Sequence, residues 1–115
     1  MGSLNKVQLI GFLGKDPETR ATADGSPVCN LRIATDESYT PKGGEKQEIT
    51  TWHSVSFFGR TAETANEFLR KGSQVYVEGP LRMRKYQDKE GVEKTSYEVR
   101  GEKLVLLGKA SDRAE

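Results

Sequence analysis

Apolar and polar residues alternate along most of this chain, which is typical of strands with one buried face. Turn signals separate the alternating stretches: GKDP at residues 14–17, ADGSP at 23–27 and DKEG at 88–91. The pattern predicts five strands, over residues 5–13, 28–38, 49–58, 74–84 and 95–100, with residues 103–107 extending or following the last one.

One segment has a helical period instead. Ala62, Ala65, Phe68 and Leu69 form an apolar stripe, with basic residues 70–71 expected in the last turn and a glycine after them. A helix between the third and fourth of five strands is the order of an OB-fold, a small Greek-key barrel. We therefore predict an all-β fold: a five-stranded OB-fold barrel over residues 1–107 with one short helix between strands 3 and 4. Residues 108–115 are expected to begin a flexible C-terminal segment.

Alternation also separates the two faces of the third predicted strand. Val55 and Phe57 suit the interior, whereas Trp52 and Phe58 share the other side with two serines. Large rings on a polar face are costly to leave in water unless they meet a flat partner. Stacking of a nucleic-acid base on an aromatic ring contributes roughly 1–3 kcal/mol and tolerates any sequence.

The fourth predicted strand shows the same pattern. Its odd-numbered residues, Val75, Val77, Leu81 and Met83, are expected to face inward. Its even-numbered residues include Arg82, Arg84 and Tyr86, so a ring lies beside cations that neutralise phosphate. Tyr39, next to a loop with lysine and glycine, is a fourth candidate ring.

Composition places limits on the function. The 115 residues suit one domain, and the net charge of +1 requires any nucleic-acid-binding charge to be gathered on one face. No stretch approaches the roughly 20 apolar residues of a membrane-spanning helix. The single cysteine, Cys29, shares parity with core residues, and it favours a reducing compartment such as the cytosol.

Other interpretations of the same residues remain open. A lone strand tryptophan often lies in a core or a subunit interface, and a basic strand edge also resists aggregation. We assign Tyr76, between Gln74 and Glu78, to an interface rather than to DNA. An OB-fold module that docks protein, as in primosomal accessory proteins, is the alternative function. An enzyme is disfavoured, because there is one histidine and no nucleophile–base pair, metal-ligand cluster or phosphate-binding glycine motif.

Several motifs resemble the bacterial single-stranded-DNA-binding proteins, in matching order from about residue 5 to residue 107. They are NKV at 5–7, LGKDPE at 13–18, TWH at 51–53, FGR at 58–60, FLRKGSQVYVEG at 68–79 and LRMRKY at 81–86. The RKGSQVYVEG run is highly specific. The resemblance implies an OB-fold assembled as a homotetramer, which binds single-stranded DNA without sequence preference during replication, recombination and repair. It implies a cytoplasmic, nucleoid-associated protein that needs no cofactor or metal.

The resemblance also assigns roles to individual residues. The DNA-stacking positions correspond to Tyr39, Trp52, Phe58 and Tyr86. The phosphate contacts correspond to Lys6, Arg20, Arg60, Arg70, Lys71, Arg82, Arg84 and Lys85. His53 corresponds to a subunit-interface position. Together with Tyr76, assigned above from its neighbours, it makes up the predicted interface residues.

The chain departs from the family pattern in four places. Tyrosines stand at positions 39 and 86, where the best-known members have tryptophan, and Ser54 stands where arginine is common. Pro80 lies in the fourth predicted strand and implies an edge or a bulge. The family's long linker and acidic C-terminal tip do not match residues 110–115. Either the sequence is truncated there, or partners recruited through that tip are not expected.

Overall fold

The computed structural model describes residues 2–108. Over these residues the elements are β1 (Val7–Leu13), β2 (Glu18–Ala21), β3 (Pro27–Tyr39), β4 (Gln47–Phe58), α1 (Arg60–Phe68), β5 (Gln74–Gly79), β6 (Leu81–Gln87), β7 (Glu93–Arg100) and β8 (Lys103–Gly108). The predicted all-β architecture with one short helix is confirmed, and the helix lies between β4 and β5, which correspond to the third and fourth predicted strands. The count of five strands is too low, because the described residues form eight.

The additional strands have identifiable causes. β2 is four residues long with every side chain exposed, so it has no alternation to detect. The fourth predicted strand divides at Pro80, which has no N–H to donate and whose carbonyl accepts from the Arg100 N–H at 2.9 Å. The last predicted strand bends at Gly101 into β7 and β8.

This bend closes the barrel. The strand order is β6-β7-β4-β3-β1-β5-β8, with β2 beside β3. β7 lies parallel to β4, whereas β8 lies antiparallel to β5, so the segment after the bend joins the far edge of the sheet. The Gly101 N–H donates to the Ser56 carbonyl at 2.7 Å, and a Cβ atom at this position would overlap the ring of Phe57. The close crossing therefore requires glycine.

The barrel interior contains the apolar residues of the inward faces. The buried cluster consists of Leu13, Cys29, Leu31, Ile33, Val55, Phe57, Ala62, Ala65, Leu69, Val75, Val77 and Val99. Burial of each larger member contributes about 1.5–3 kcal/mol. The predicted inward positions on the third strand and at Cys29 are confirmed, and burial raises the pKa of the Cys29 thiol.

Three residues expected in the core are exposed instead. Phe68, the last residue of α1, is 56% exposed, whereas Leu69, the residue after it, is buried with Ala62 and Ala65. Leu81 and Met83 are 41% and 57% exposed, because they follow the break at Pro80 and lie on β6, whose side chains are all exposed.

The helix also ends earlier than expected. α1 stops at Phe68, so Arg70 and Lys71 lie beyond it rather than in its last turn. The Arg70 guanidinium instead folds back and donates to the carbonyls of Asn66 at 2.9 Å and Leu69 at 2.6 Å. It thereby satisfies carbonyls that a helix C-terminus leaves without partners.

Two hairpins project from one end of the barrel. β3 and β4 stay paired from Val28–Phe58 to Tyr39–Gln47. We call residues 34–52, which follow the Ile33–His53 pair on β3 and precede it on β4, the first arm. The β6–β7 hairpin forms the second arm. Since β4 and β7 are parallel and pair only at residues 55–56 with 99–100, the two arms run in the same direction and separate.

The remaining expectations concern the chain's ends and membranes. Gly108 ends β8, and residues 109–115 of the expected flexible segment lie outside the described residues. Within residues 2–108, no helix has the length and apolarity that a membrane crossing requires.

Candidate nucleic-acid interface

Strand register places two of the predicted rings on one outer face of the barrel. Trp52 and Phe58 are 49% and 39% exposed, whereas Val55 and Phe57 between them are buried. The assignment of inward and outward residues on this strand is therefore confirmed. Trp52 lies opposite Ala34, and Phe58 lies opposite Val28, so the face continues across β3.

β7 extends the same face. The Ser56 hydroxyl lies 2.7 Å from Asn30 Oδ1 on β3 and 3.2 Å from Glu98 Oε2 on β7. Arg100, two residues further on, places its Cζ 4.6 Å from the centroid of the Phe58 ring. The outward side chains of β3, β4 and β7 therefore form one continuous surface.

The second arm brings the third ring onto this surface. Arg82 pairs with Glu98, Arg84 with Ser96, and Tyr86 with Lys94, and directly paired residues share a side of the sheet. Since Glu98 contacts Ser56, the basic side of β6 adjoins the outer side of β4. We call this surface the ring face, defined by Trp52, Phe58, Tyr86, Arg32, Arg82, Arg84, Glu98 and Arg100.

Contacts with the turn after β1 and with Arg32 position the Trp52 ring. A Cβ atom at Gly14 would overlap the six-membered part of its ring, so the glycine allows the indole to lie against the turn after β1. Arg32 places its Cζ 5.7 Å from the ring centroid, and its Nη1 donates to Ser54 Oγ at 3.4 Å. A cation over an exposed ring contributes about 0.5–1 kcal/mol. Beside the indole is an open cleft of about 560 Å³, within the size range of ligand pockets.

Phe58 lines a second cleft of about 670 Å³ with the turn after β2. In this turn the Thr22 N–H donates to the Ser26 carbonyl at 2.9 Å. The Asp24 carboxylate accepts from the Thr22 hydroxyl and from the Ser26 N–H. These hydrogen bonds hold the pKa of Asp24 below its ordinary value, and the bond from the Thr22 hydroxyl is the largest cause. The turn predicted from ADGSP is present, and it lines the cleft beside Phe58.

Sequence reasoning missed two arginines of the ring face, Arg32 and Arg100. The available signal was parity, since Arg32 alternates with buried Leu31 and Ile33. The ring that each arginine covers lies on another strand, however, and only the register reveals the contact. Within residues 2–108, no carboxylate oxygen lies within 4 Å of the basic nitrogens of these two arginines or of Arg82 and Arg84. Their charges are therefore available to an anionic ligand.

Tyr39 lies apart from the other three candidate rings. It ends β3 opposite Gln47 and is 51% exposed. Its position is odd-numbered, like Ile33 on the inward side, whereas Trp52 pairs with even-numbered Ala34. Alternation therefore places Tyr39 on the reverse side of the first arm.

Some of the predicted phosphate-contacting residues lie on or beside the ring face. Arg82 and Arg84 flank Tyr86 along β6. Arg20 on β2 pairs with Val28, which in turn pairs with Phe58, so these three residues form one cross-strand row.

Other predicted phosphate contacts are paired elsewhere. Lys6 Nζ lies 3.2 Å from Glu78 Oε2, on the outer side of β1 and β5. Lys85 alternates with Tyr86 onto the reverse side of β6, and its Nζ lies 4.0 Å from Glu93 Oε1.

The last three predicted phosphate contacts surround the helix. Arg60 begins α1 and lines a separate cleft with Glu102 and Leu104. Arg70 caps the carbonyls at the end of α1, as described above. The Lys71 N–H donates to Asp16 Oδ1 at 2.8 Å. These contacts place Arg60 and Arg70 around the helix rather than on the ring face, whereas the backbone of Lys71 is held to the turn after β1.

The two predicted interface residues lie in different surroundings. His53 is half-buried, with its Nε2 2.9 Å from Thr35 Oγ1. Tyr76 accepts a hydrogen bond from Gln8 Nε2 at 3.0 Å, and its hydroxyl donates to Glu78. In the part of the chain that the structure describes, no three His, Cys, Asp or Glu side chains converge as metal ligands.

The sequence is similar to those of several known proteins. The sequence profile of the single-strand binding protein family matches residues 4–107. The single-stranded DNA-binding protein 1 of Xylella fastidiosa is 49% identical over 113 residues, covering 97% of this chain and 83% of the relative. The single-stranded DNA-binding protein of Neisseria meningitidis serogroup A is 44% identical over 106 residues, covering 92% of this chain and 61% of the relative.

A solved structure supports the same conclusion. The single-stranded DNA binding protein of Thermus aquaticus, crystallised as a deletion mutant, superimposes with a TM-score of 0.78 and 36% identity. The match covers 90% of this chain and 50% of that one, and it confirms the OB-fold expected from the order of the elements. The chain belongs to the single-strand binding protein family.

Proposed function

We propose that this chain binds single-stranded DNA with little dependence on sequence, in replication, recombination and repair, and catalyses no reaction. The observation that carries the proposal is the ring face, where half-exposed rings lie beside arginines that have no carboxylate partner within residues 2–108. Such a surface offers a bare strand both stacking for its bases and cations for its phosphates.

The mechanism follows from the two arms. Bases stack on Phe58 and Trp52 along β4 and on Tyr86 along β6, while Arg32, Arg100 and the β6 arginines neutralise phosphates. Every base has a π-face, so stacking tolerates any sequence. A duplex competes poorly because its base faces are already covered by neighbouring pairs.

We propose Tyr39 as a further contact for the same DNA strand, after it has left Trp52. Tyr39 lies on the reverse side of the first arm, so a DNA strand that leaves Trp52 must pass around this arm to reach it. A DNA strand that wraps around the first arm meets Tyr39 in this way.

We also propose that the chain assembles as a homo-oligomer, a tetramer, through the outer side of β1, β5 and β8. Ile10 pairs with Tyr76, and Tyr76 pairs with Val105, which makes one cross-strand row. Ile10 and Val105 are 58% and 39% exposed. An exposed apolar row on a sheet supports association with a second copy.

His53 lies on β4, away from this surface, and its predicted place in a subunit interface is tested separately by His53→Tyr. The larger ring cannot occupy the same space against Thr35, so we expect weaker association. Light scattering over a dilution series should show a lower mass for the variant at low concentration. An unchanged mass at every concentration would remove His53 from the interface.

The test of DNA binding uses the only tryptophan in the sequence as its probe. Titration with oligo(dT), at two salt concentrations and with duplex as competitor, should quench the Trp52 fluorescence to saturation. Duplex should restore little of the signal, and affinity should fall with salt with a log–log slope of about −0.7 per phosphate contact. Absence of quenching in the folded protein would refute stacking on Trp52 and favour an OB-fold module that docks protein.

A further inference from the structure

One carboxylate, that of Glu98, lies within the ring face. It lines the cleft beside Trp52, together with Arg32, Ser54 and Ser56. A phosphate group at this point would be repelled, so the carboxylate does not serve the binding of the DNA backbone. Its presence among cations and rings suggests a partner that donates hydrogen bonds.

The Glu98 side chain is held in place. It is half-buried, and its Oε2 lies 3.2 Å from the Ser56 hydroxyl, which also lies 2.7 Å from Asn30 Oδ1. Arg82 is its direct partner on β6, yet within residues 2–108 no basic nitrogen lies within 4 Å of the carboxylate. No hydrogen bond within residues 2–108 involves Oε1, so one oxygen is available to a ligand.

We infer that Glu98 accepts a hydrogen bond from the exocyclic amino group of a base stacked on Trp52, an inference that rests on the proposed function. An ionised carboxylate only accepts hydrogen bonds. Cytosine presents an amino donor at C4, where thymine and uracil present a carbonyl acceptor that a carboxylate repels. In a single strand this edge of the base is open to the protein. The Trp52 subsite therefore favours amino-bearing bases, within a surface that otherwise accepts any sequence.

The test compares oligo(dC) with oligo(dU), because these bases differ at C4 and N3 but share the absence of a methyl group. Short oligomers of equal length are titrated against the wild-type chain, Glu98→Gln and Glu18→Gln. Glu18 is the matched control, because its carboxylate lines the same cleft but is bound to Lys15. Both substitutions remove one negative charge from the cleft.

Wild type and Glu18→Gln should share one ratio of dU to dC dissociation constants. Glu98→Gln should lower that ratio by about three- to tenfold, the scale of one charge-assisted hydrogen bond in a partly solvated site. Retained oligo(dU) binding in that variant leaves the proposed function intact. An equal gain in affinity for both oligomers would mean that Glu98 acts only through its charge, and it would overturn the inference, as would an unchanged ratio.

A second variant separates contact from charge and guards against misfolding of the first. Glu98→Asp keeps the charge but withdraws the carboxylate by one methylene, so the dU to dC ratio should still fall. A ratio equal to that of wild type would overturn the inference. Failure of the wild-type chain to bind either oligomer would refute the proposed function itself, an outcome distinct from these.

Discussion

The outer faces of two strand pairs in this barrel each combine an aromatic ring with basic residues, yet they differ in how those charges are used. On β1 and β5, Lys6 lies 3.2 Å from Glu78, and the hydroxyl of Tyr76 donates to the same carboxylate. On the ring face, Arg32 and Arg100 cover Trp52 and Phe58 at 5.7 Å and 4.6 Å. No carboxylate within residues 2–108 pairs with either arginine.

The difference shows why residue type alone does not identify a DNA-binding surface. A cation already paired with a carboxylate adds little net attraction for a polyanion, and an exposed pair of this kind contributes only about 0–1 kcal/mol to stability. A cation that lies over a ring without a carboxylate keeps its full charge for phosphate. The fold determines the role of each basic residue through the strand that lies beside it.

The largest expected effect is that of Trp52→Ala. Loss of the indole should weaken binding to oligo(dT) by roughly 1–3 kcal/mol, because one stacking platform is removed. Tyr76→Ala is the matched change on the other face, because it also removes a whole ring, and it should leave the affinity unchanged. Fluorescence anisotropy of a labelled oligomer measures both. Equal losses from the two variants would remove the distinction between the two faces.

Gly14→Ala tests whether the turn after β1 positions the Trp52 ring, without changing any charge. The added methyl group would overlap the indole, so the ring must tilt away from the turn. We expect a loss of affinity of about 1 kcal/mol, smaller than that of Trp52→Ala, since a displaced ring still stacks in part. The emission maximum of the free protein should shift as well. Gly2→Ala, where nothing lies within 4 Å of the added Cβ, is the control. Unaltered emission together with unaltered affinity would show that the glycine does not position the ring.

Removal of arginine charges that have no carboxylate partner within residues 2–108 should reduce the salt dependence of binding, with the largest loss of affinity at low salt. Arg32→Gln and Arg100→Gln should each reduce the log–log salt slope by about 0.7, if each arginine neutralises one phosphate. Lys6→Gln should reduce it less, because that lysine is paired with Glu78. A slope that changes equally in all three variants would show that pairing within the chain does not determine which cations meet DNA.

Alternation along a strand predicted the position of single residues better than the contacts between them. It placed Trp52 and Phe58 outside and Val55 and Phe57 inside, because the period of a strand is fixed by its geometry. It failed for Leu81 and Met83, since the break at Pro80 separates them from the barrel wall. A proline inside an alternating run indicated such a break. The sequence does not show whether other residues cover the side chains of the strand that follows it.

The contacts across strands required the register. Arg32 lies beside Trp52 only because β3 and β4 pair Ala34 with Trp52, and Arg100 covers Phe58 only because β7 runs parallel to β4. In the same way, residues 74–79 pair with residues 7–12 of the first strand. Patterns within a single sequence do not contain such pairings. The resemblance to a family supplied positions of rings, and the register then showed that Tyr39 lies on the reverse side of the arm.

The smallest expected effect concerns the acid stability of the face that carries Tyr76. The hydrogen bond from Tyr76 and then the hydrogen bond and charge of Lys6 hold the pKa of Glu78 below its ordinary value. A carboxyl group whose pKa is lower in the folded state stabilises the fold above its unfolded-state pKa. That contribution is lost as pH falls through the folded-state value.

Tyr76→Phe removes the largest cause of this shift. We expect its melting temperature to lie slightly below that of wild type at pH 7 and the gap to narrow at acid pH, as the pH falls from the ordinary glutamate pKa of about 4.3 through the lowered folded-state pKa of Glu78. Thermal unfolding followed by circular dichroism at the two pH values measures the gap. A gap of the same size at both would show that the hydroxyl acts through Gln8 rather than through the charge of Glu78. Because this carboxylate lies away from the ring face, oligo(dT) affinity at pH 7 should be the same in both proteins, which separates the stability of one face from the DNA binding of the other.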